Sequence, residues 1–333
     1  MADHKAVNKR LLWVAVLTAG TVLSSTLPSD ANHALAAYPD RPIRMIVPYP
    51  AGGMTDVLAR PISMKLTAKW GQSVIIDNRG GAGGTIGSAL AAKAAPDGYT
   101  IILGTFGTHA VNSALLELPY HPLQDFAPII PIAGVPSILS VNAASPIKSV
   151  SELITQARTK PGQLTHGSTG IGASPQLCLE LLKMMAKVDI TDVRYKGGAP
   201  ALNALLGNEV TMIFDTVGTS ITHIQAGRIR PLGTSSPQRL KALPNVPAIA
   251  EFYPGFDLVP WFALWAPAKT PSEIVHKLNE EINLTLKMPD VGERFSASGA
   301  DVMGGSVEAF AKFHKAEFAR WTKFIKDAGI KME

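Results

Sequence analysis

A single cysteine, Cys178, stands among 333 residues, so no disulfide can close within the chain and no multi-cysteine metal motif can be written. Charge is sparse as well: Asp, Glu, Lys and Arg make up 17% of the chain and the formal net charge is +5. The basic residues are scattered, which excludes the massed cationic face that nucleic acid requires. Past the first segment, no apolar run is long enough to span a bilayer. The usual catalytic signatures are also missing. There is no G-x-x-x-x-G-K-[ST], no H-E-x-x-H, no C-x-x-C and no EF-hand loop, and Gly172-Ala173-Ser174-Pro175 continues into Gln176 rather than completing G-x-S-x-G. The eight histidines are dispersed without ligand spacing, and His109 and His166, near strand ends, read as structural. No catalytic residue, metal ligand or cofactor follows from these residues.

What is present begins with a leader. Lys5, Lys9 and Arg10 precede an apolar run from Leu11 to Leu23, and Ala34-Leu35-Ala36 has the small-residue spacing of a cleavage site. Residues 1–36 are expected to be an export signal removed near Ala36, leaving a soluble exported protein. In the remainder, 46% hydrophobic content over the whole chain and the length favour two domains. Cys178, set among leucines, is expected to be an inert core thiol.

The stretch Val47-Pro48-Tyr49-Pro50-Ala51-Gly52-Gly53-Met54-Thr55-Asp56 organises the mature chain. An apolar strand feeds it, and Leu58, Ile62 and Leu66 at spacings of four mark the helix leaving it. The first N–H groups of such a helix lack partners and favour an anion. Gly52 and Gly53 let a ligand approach the main chain, and Asp56 is expected to cap or stiffen the loop. Two further strand–loop units follow, one ending in Asn78-Arg79-Gly80-Gly81-Ala82-Gly83-Gly84 and one in Gly104-Thr105-Phe106-Gly107-Thr108. Strands alternating with helices imply parallel sheets flanked by helices, with ligands beyond the strand carboxyl ends. Gly81-x-Gly83-x-x-x-Gly87 only approximates a dinucleotide fingerprint and follows the second strand, so backbone access for a small anion is the better reading.

Near residues 128–141 an extended, proline-broken apolar passage opens a second set of α/β units. Ser149-x-x-Glu152 reads as a capping box. Gly167-Ser168-Thr169-Gly170 repeats the opening logic, with Ser168 and Thr169 adding hydroxyl donors that can meet a carboxylate. A helix with Leu177, Leu181 and Met184 on one side follows. A second extended passage, 256–267, returns the chain, and Thr270-Pro271-Ser272-Glu273 reads as another capping box. Two crossings around an inserted block imply two lobes joined by a two-strand hinge, their glycine loops facing one cleft.

With these loops assembled, the chain resembles the extracytoplasmic receptors of tripartite tricarboxylate transporters, the Bug-type solute-binding proteins. The likeness rests on the loop 48–56, on Asn78-Arg79-Gly80-Gly81-Ala82-Gly83-Gly84, on Ala95-Pro96-Asp97-Gly98-Tyr99, on Tyr195-Lys196-Gly197-Gly198-Ala199-Pro200-Ala201 and on Leu243-Pro244-Asn245-Val246-Pro247. It covers essentially the whole mature chain. Three positions depart from the pattern: Gln176 where a histidine is common, Arg194 before Tyr195, and the run from Pro247 to Glu251.

The resemblance implies an α/β, two-lobed periplasmic-binding-protein (Venus-flytrap) fold, each lobe a mainly parallel sheet flanked by helices. Lobe I would be 37–135 plus 262–333, and lobe II 136–261. It implies a non-enzymatic, monomeric periplasmic receptor without cofactor, holding a small organic acid and passing it to membrane permease subunits. Ligand-binding residues would be Tyr49, Ala51, Gly52, Gly53, Asp56, Gly83, Gly84 and Thr105 from the first lobe. The second would supply Ser168, Thr169, Gly170, Tyr195, Lys196, Gly197, Asp215 and Thr216. Strand alternation turns Arg194 away from Tyr195, toward solvent. A hydrolase or isomerase on the same scaffold, or an extracytoplasmic sensor, are the alternatives from other functional classes.

Overall fold

β-Branched and aliphatic runs form the strands, and small-residue loops return the chain to helices. The computed structural model describes residues 38–169, 172–195 and 197–331; the expected export signal lies outside them. From β1 (Ile43–Val47), β2 (Val74–Asn78), β3 (Thr100–Thr105) and β4 (Phe126–Gly134), the chain passes to a second set of strands. These are β5 (Ser137–Asn142), β6 (Thr165–Ser168), β7 (Thr191–Arg194), β8 (Met212–Thr216) and β9 (Ile229–Thr234). It then returns for β10 (Trp261–Pro267) and β11 (Asp301–Val302). Two sheets result, ordered β11-β4-β10-β3-β1-β2 and β7-β6-β8-β5-β9.

The two-sheet α/β arrangement agrees with the sequence, but the sheets are mixed rather than mainly parallel. β1 is parallel to β2 and β3, while β10 runs antiparallel to both β3 and β4. In the other sheet β6 is parallel to β7 and β8, while β5 is antiparallel to β8 and β9. The reason lies in the strands next to the crossings. They enter each sheet without the helical crossover that parallel neighbours need.

Leu58, Ile62 and Leu66 of the Met54–Trp70 helix pack under the first sheet with Leu278 and Ile282 of the Ser272–Leu286 helix. A second cluster is continuous across both sheets. It joins Leu139, Cys178 and Phe214 to Trp261, Trp265 and the Phe310 and Trp321 side chains of the C-terminal helix, Val307–Asp327. Cys178 is fully buried, and burial pushes its thiol pKa up, as an inert core thiol requires.

Local caps divide. Ser149 accepts a hydrogen bond from the Glu152 N–H at 3.1 Å, as its spacing predicts. Thr270 does not cap the Ser272–Leu286 helix; its hydroxyl donates to the Pro267 carbonyl at 2.7 Å. Met184, placed on the apolar stripe by sequence, is 47% exposed near its helix end. Among the described residues no helix is long and apolar enough to cross a membrane.

Candidate functional site

Three loops at the carboxyl ends of β1, β2 and β3 meet, and hydrogen bonds fix each. The Asp56 carboxylate is buried and accepts from the Gly52 N–H at 3.0 Å, from Arg60 Nε at 2.8 Å and from Asn78 Nδ2 at 3.3 Å. Burial alone would raise its pKa; Arg60, the Gly52 N–H and Asn78 outweigh that and hold it below the ordinary carboxylate value. Asp56 thus stiffens the loop. Gly52 takes the left-handed φ of +86° that this turn needs. Gly53 then opens the Met54–Trp70 helix with no side-chain cap, leaving the first N–H groups to be satisfied from outside the helix.

Tyr49 ties the other two loops to the first. Its hydroxyl donates to the Gly83 carbonyl at 3.3 Å and lies 3.1 Å from Thr105 Oγ1, while Asn112 Nδ2 also donates to the Gly83 carbonyl at 3.2 Å. Burial raises the Tyr49 pKa, so the phenol stays a neutral donor. Thr105 and Thr108 exchange hydrogen bonds from N–H to hydroxyl in both directions, and Thr108 Oγ1 sits 2.8 Å from His109 Nδ1. Gly84, at φ +90°, closes the arrangement: a Cβ there would lie 2.6 Å from Thr108 Cγ2 and 3.1 Å from the Tyr49 hydroxyl. Gly84→Ala is therefore expected to cost about 1–3 kcal/mol in a urea melt and to displace Tyr49. A variant as stable as the parent would contradict the packing described.

The second sheet presents a different arrangement from the expected one. Ser168 is buried, and its hydroxyl donates to Asp192 Oδ2 at 2.9 Å rather than into the cleft. His166 Nε2 accepts from the Phe214 N–H at 3.1 Å, which leaves the ring proton on Nδ1 for Asp192 Oδ1 at 3.1 Å. Serine, aspartate and histidine are thus neighbours, but the aspartate lies between the other two and the imidazole acceptor is occupied. That geometry makes no nucleophile–base pair. Asp215 accepts from the Thr216 N–H at 2.8 Å and from the Thr219 hydroxyl at 2.5 Å, organising the start of the Val217–Gln225 helix; burial raises its pKa despite these bonds. The Tyr195 N–H donates to the Ser168 carbonyl at 2.8 Å, and its half-buried ring packs against a small apolar cluster. Arg194 is exposed at the end of β7.

A cavity of about 540 Å³ brings Tyr49, Gly83, Thr105 and Thr169 to one wall system. Ala51, Gly52, Gly53, Asp56, Gly84, Ser168, Tyr195, Gly197, Asp215 and Thr216 lie off that wall, and Gly170 and Lys196 fall outside the described residues. Sequence reasoning missed Met54, Asn112, Ser174, Pro175, Pro260 and Phe262, all of which line it. Met54 and Ser174, next to recognised loops, could have been found from the helix-start pattern; Phe262 is brought there by β10, where it pairs with Thr105 on one side and Ala133 on the other. Among the described lining residues no side chain carries a charge. A larger cavity of about 640 Å³, walled by Pro136, Arg239 and Ser296, contains none of the expected site residues.

The family described as tripartite tricarboxylate transporter family receptor matches residues 58–330. Protein BugT of Bordetella pertussis is 36% identical over 299 residues, which span 89% of this chain and 92% of BugT. The solved structure of R. palustris Rpa4515 with adipate is 40% identical, with a TM-score of 0.77 over 89% of this chain and 100% of that one. MatC (Rpa3494) from Rhodopseudomonas palustris, solved with bound malate, is 32% identical, with a TM-score of 0.73 over 86% and 100%.

Proposed function

Because the chain belongs to the tripartite tricarboxylate transporter receptor family, we propose that it is a periplasmic, non-enzymatic receptor that captures a small organic acid for membrane permease subunits. In this reading residues 37–135 with 262–333 form one lobe and 136–261 the other, and the acid sits between them without cofactor. The observation that carries the reading is the cavity of uncharged donors beside a helix start that no side chain caps. The adipate and malate held by two relatives support a carboxylate as the guest.

Neutral N–H and hydroxyl donors suffice energetically. A hydrogen bond to a charged group contributes roughly 1.5–3 kcal/mol, and a few of them, less the cost of immobilising the ligand, reach the roughly 8 kcal/mol of micromolar binding. Their lack of fixed charge also makes affinity only weakly dependent on salt.

A thermal-shift screen of small organic acids tests the proposal. An acid present at a hundred times its Kd is expected to stabilise the native state by about 2.7 kcal/mol, and to be recovered chemically unchanged. A screen in which no acid raises Tm would remove the receptor reading, and conversion of a bound acid would favour an enzyme instead.

A further inference from the structure

Two elements that belong to different sheets touch through bare backbone. Gly218 is the second residue of the Val217–Gln225 helix, which packs on the five-stranded sheet. Ser298 and Gly299 follow the Pro289–Ala297 helix, whose Val291 and Phe295 join the core of the six-stranded sheet. A Cβ added at Gly218 would lie 2.6 Å from the Ser298 carbonyl oxygen, and one at Gly299 would lie 2.6 Å from the Gly218 nitrogen and 2.9 Å from Val217 Cβ. Neither side gives way locally. Asp215 accepts from the Thr216 N–H and the Thr219 hydroxyl, fixing the helix start. Opposite it, the Ser298 and Ala300 N–H groups both donate to the Phe295 carbonyl, at 2.9 and 3.0 Å, and Ala300 is buried. Conformation does not call for glycine at 218: its φ is not left-handed, and alanine is the better helix former. Beside the contact the two sets of elements stand apart across the cavity of about 640 Å³, walled by Val217 and Leu240 from one and by Ser296 and Ala300 from the other.

Resting on the two-lobed receptor reading above, we propose that Gly218 and the Ser298–Gly299 turn form the stop that sets how the lobes approach one another, and so are positioning residues for capture of the acid. The chain crosses between the lobes at Val135–Pro136 and at Pro260, and the Val135 N–H donates to the Pro260 carbonyl at 2.8 Å. Two linked crossings leave the lobes one easy motion, rotation about the crossings. A rigid backbone contact outside them limits that rotation. A methyl group there must widen 2.6 Å to the roughly 3.5–4 Å of ordinary contact. The lobes then change their angle, and donors from the two sides no longer converge on one acid. Gly172, on the acid cavity, differs in kind: a Cβ there would crowd the tip of the Leu115 side chain, which can turn aside.

Gly218→Ala tests the stop, with Gly292→Ala as its control. Gly292 lies in the Pro289–Ala297 helix and on the same 640 Å³ cavity, but a Cβ there meets nothing within 4 Å. Spin labels on cysteines replacing the exposed Lys93 and Lys160 report the spacing of the lobes, since the buried Cys178 does not compete for label. In Gly218→Ala the label distance is expected to change by about 2 Å or more, the affinity for adipate or malate in calorimetric titration to fall at least tenfold, and the ligand-free Tm to stay within about 2 °C of the parent. Gly218→Leu should enlarge the first two effects, and Gly292→Ala should show neither. An unchanged label distance in Gly218→Ala and Gly218→Leu would overturn the stop. A changed distance with affinity within threefold of the parent would overturn its part in capture while leaving the receptor reading intact. Failure of both acids to bind the parent would count against the receptor reading, while the label distances still decide whether the glycine contact sets the spacing.

Discussion

Trp265→Ala is expected to lower the free energy of unfolding by about 3–5 kcal/mol, a large fraction of a typical domain's 5–15 kcal/mol. Trp265 is fully buried on β10, between β3 and β4. Its indole stacks on His109 with ring centroids 3.8 Å apart and meets Phe310 at 5.3 Å. The indole N–H points at His314 Nδ1 at 3.4 Å, leaving His314 Nε2 to donate to the His109 carbonyl at 2.9 Å. Truncation empties a large volume and strips one face from His109, whose Nδ1 contacts the Thr108 hydroxyl. The damage should therefore reach Thr105 and Tyr49, so acid affinity falls together with stability. Urea titration with an unchanged m-value is the measurement, and Phe252→Ala, at a side chain 41% exposed, is the control expected to stay within about 0.5 kcal/mol. A Trp265 variant within 1 kcal/mol of the parent would mean that this cluster is not the structural centre.

The second large effect is acid sensitivity. Burial pulls His109 well below its ordinary 6.5, lowers His166 despite Asp192, and brings His314 to about 4 despite its bond to the His109 carbonyl. Between those folded values and 6.5 the unfolded chain binds protons that the native state refuses, so stability falls as pH drops. His314 alone accounts for a loss on the order of 3 kcal/mol by pH 4. His276, raised by the Ser272 carbonyl and Glu308, acts only above pH 6.5 and in the opposite direction. Asp215 and Asp257, raised by burial, offset part of the loss above their ordinary 3.8, whereas Asp56 and Asp77, held below 3.8, deepen it only under that value. Melting curves from pH 8 to pH 4 should show Tm falling steadily below about 6.5, with a shallower fall in His314→Phe. A flat profile over that interval would mean that these imidazoles are hydrated or charged in the native protein.

Much of this architecture could be read before any coordinates. Strong local patterns mark β1 and its helix, the Ser149 cap and the buried Cys178, and each depends on residues close in sequence. The two extended passages anticipated two sheets, because a chain that leaves a sheet must come back to complete it. What escaped depended on distant partners. The antiparallel setting of β10 is fixed by neighbours on both sides of it. Ser168 sits at the end of a strand of four residues, too short for alternation to decide its face, and its hydroxyl turned toward Asp192. Thr270 has the spacing of a cap, yet the Pro267 carbonyl competes for its hydroxyl and prevails. The cavity wall was half legible: glycine and hydroxyl loops announced the donors, while the apolar side came from Phe262 and Pro260, which carry no motif.

The position of β10 also bears on how the protein is made. Residues 261–267 supply a strand that lies between β3 and β4 of the six-stranded sheet, so a ribosome must pass residue 267 before that sheet has anything at its middle. The five-stranded sheet draws only on residues 137–234 and is complete in a far shorter nascent chain. In a chain that emerges N-terminus first the interior segment can condense first, with β3 and β4 apart as exposed edges until residues 261–267 arrive to join them.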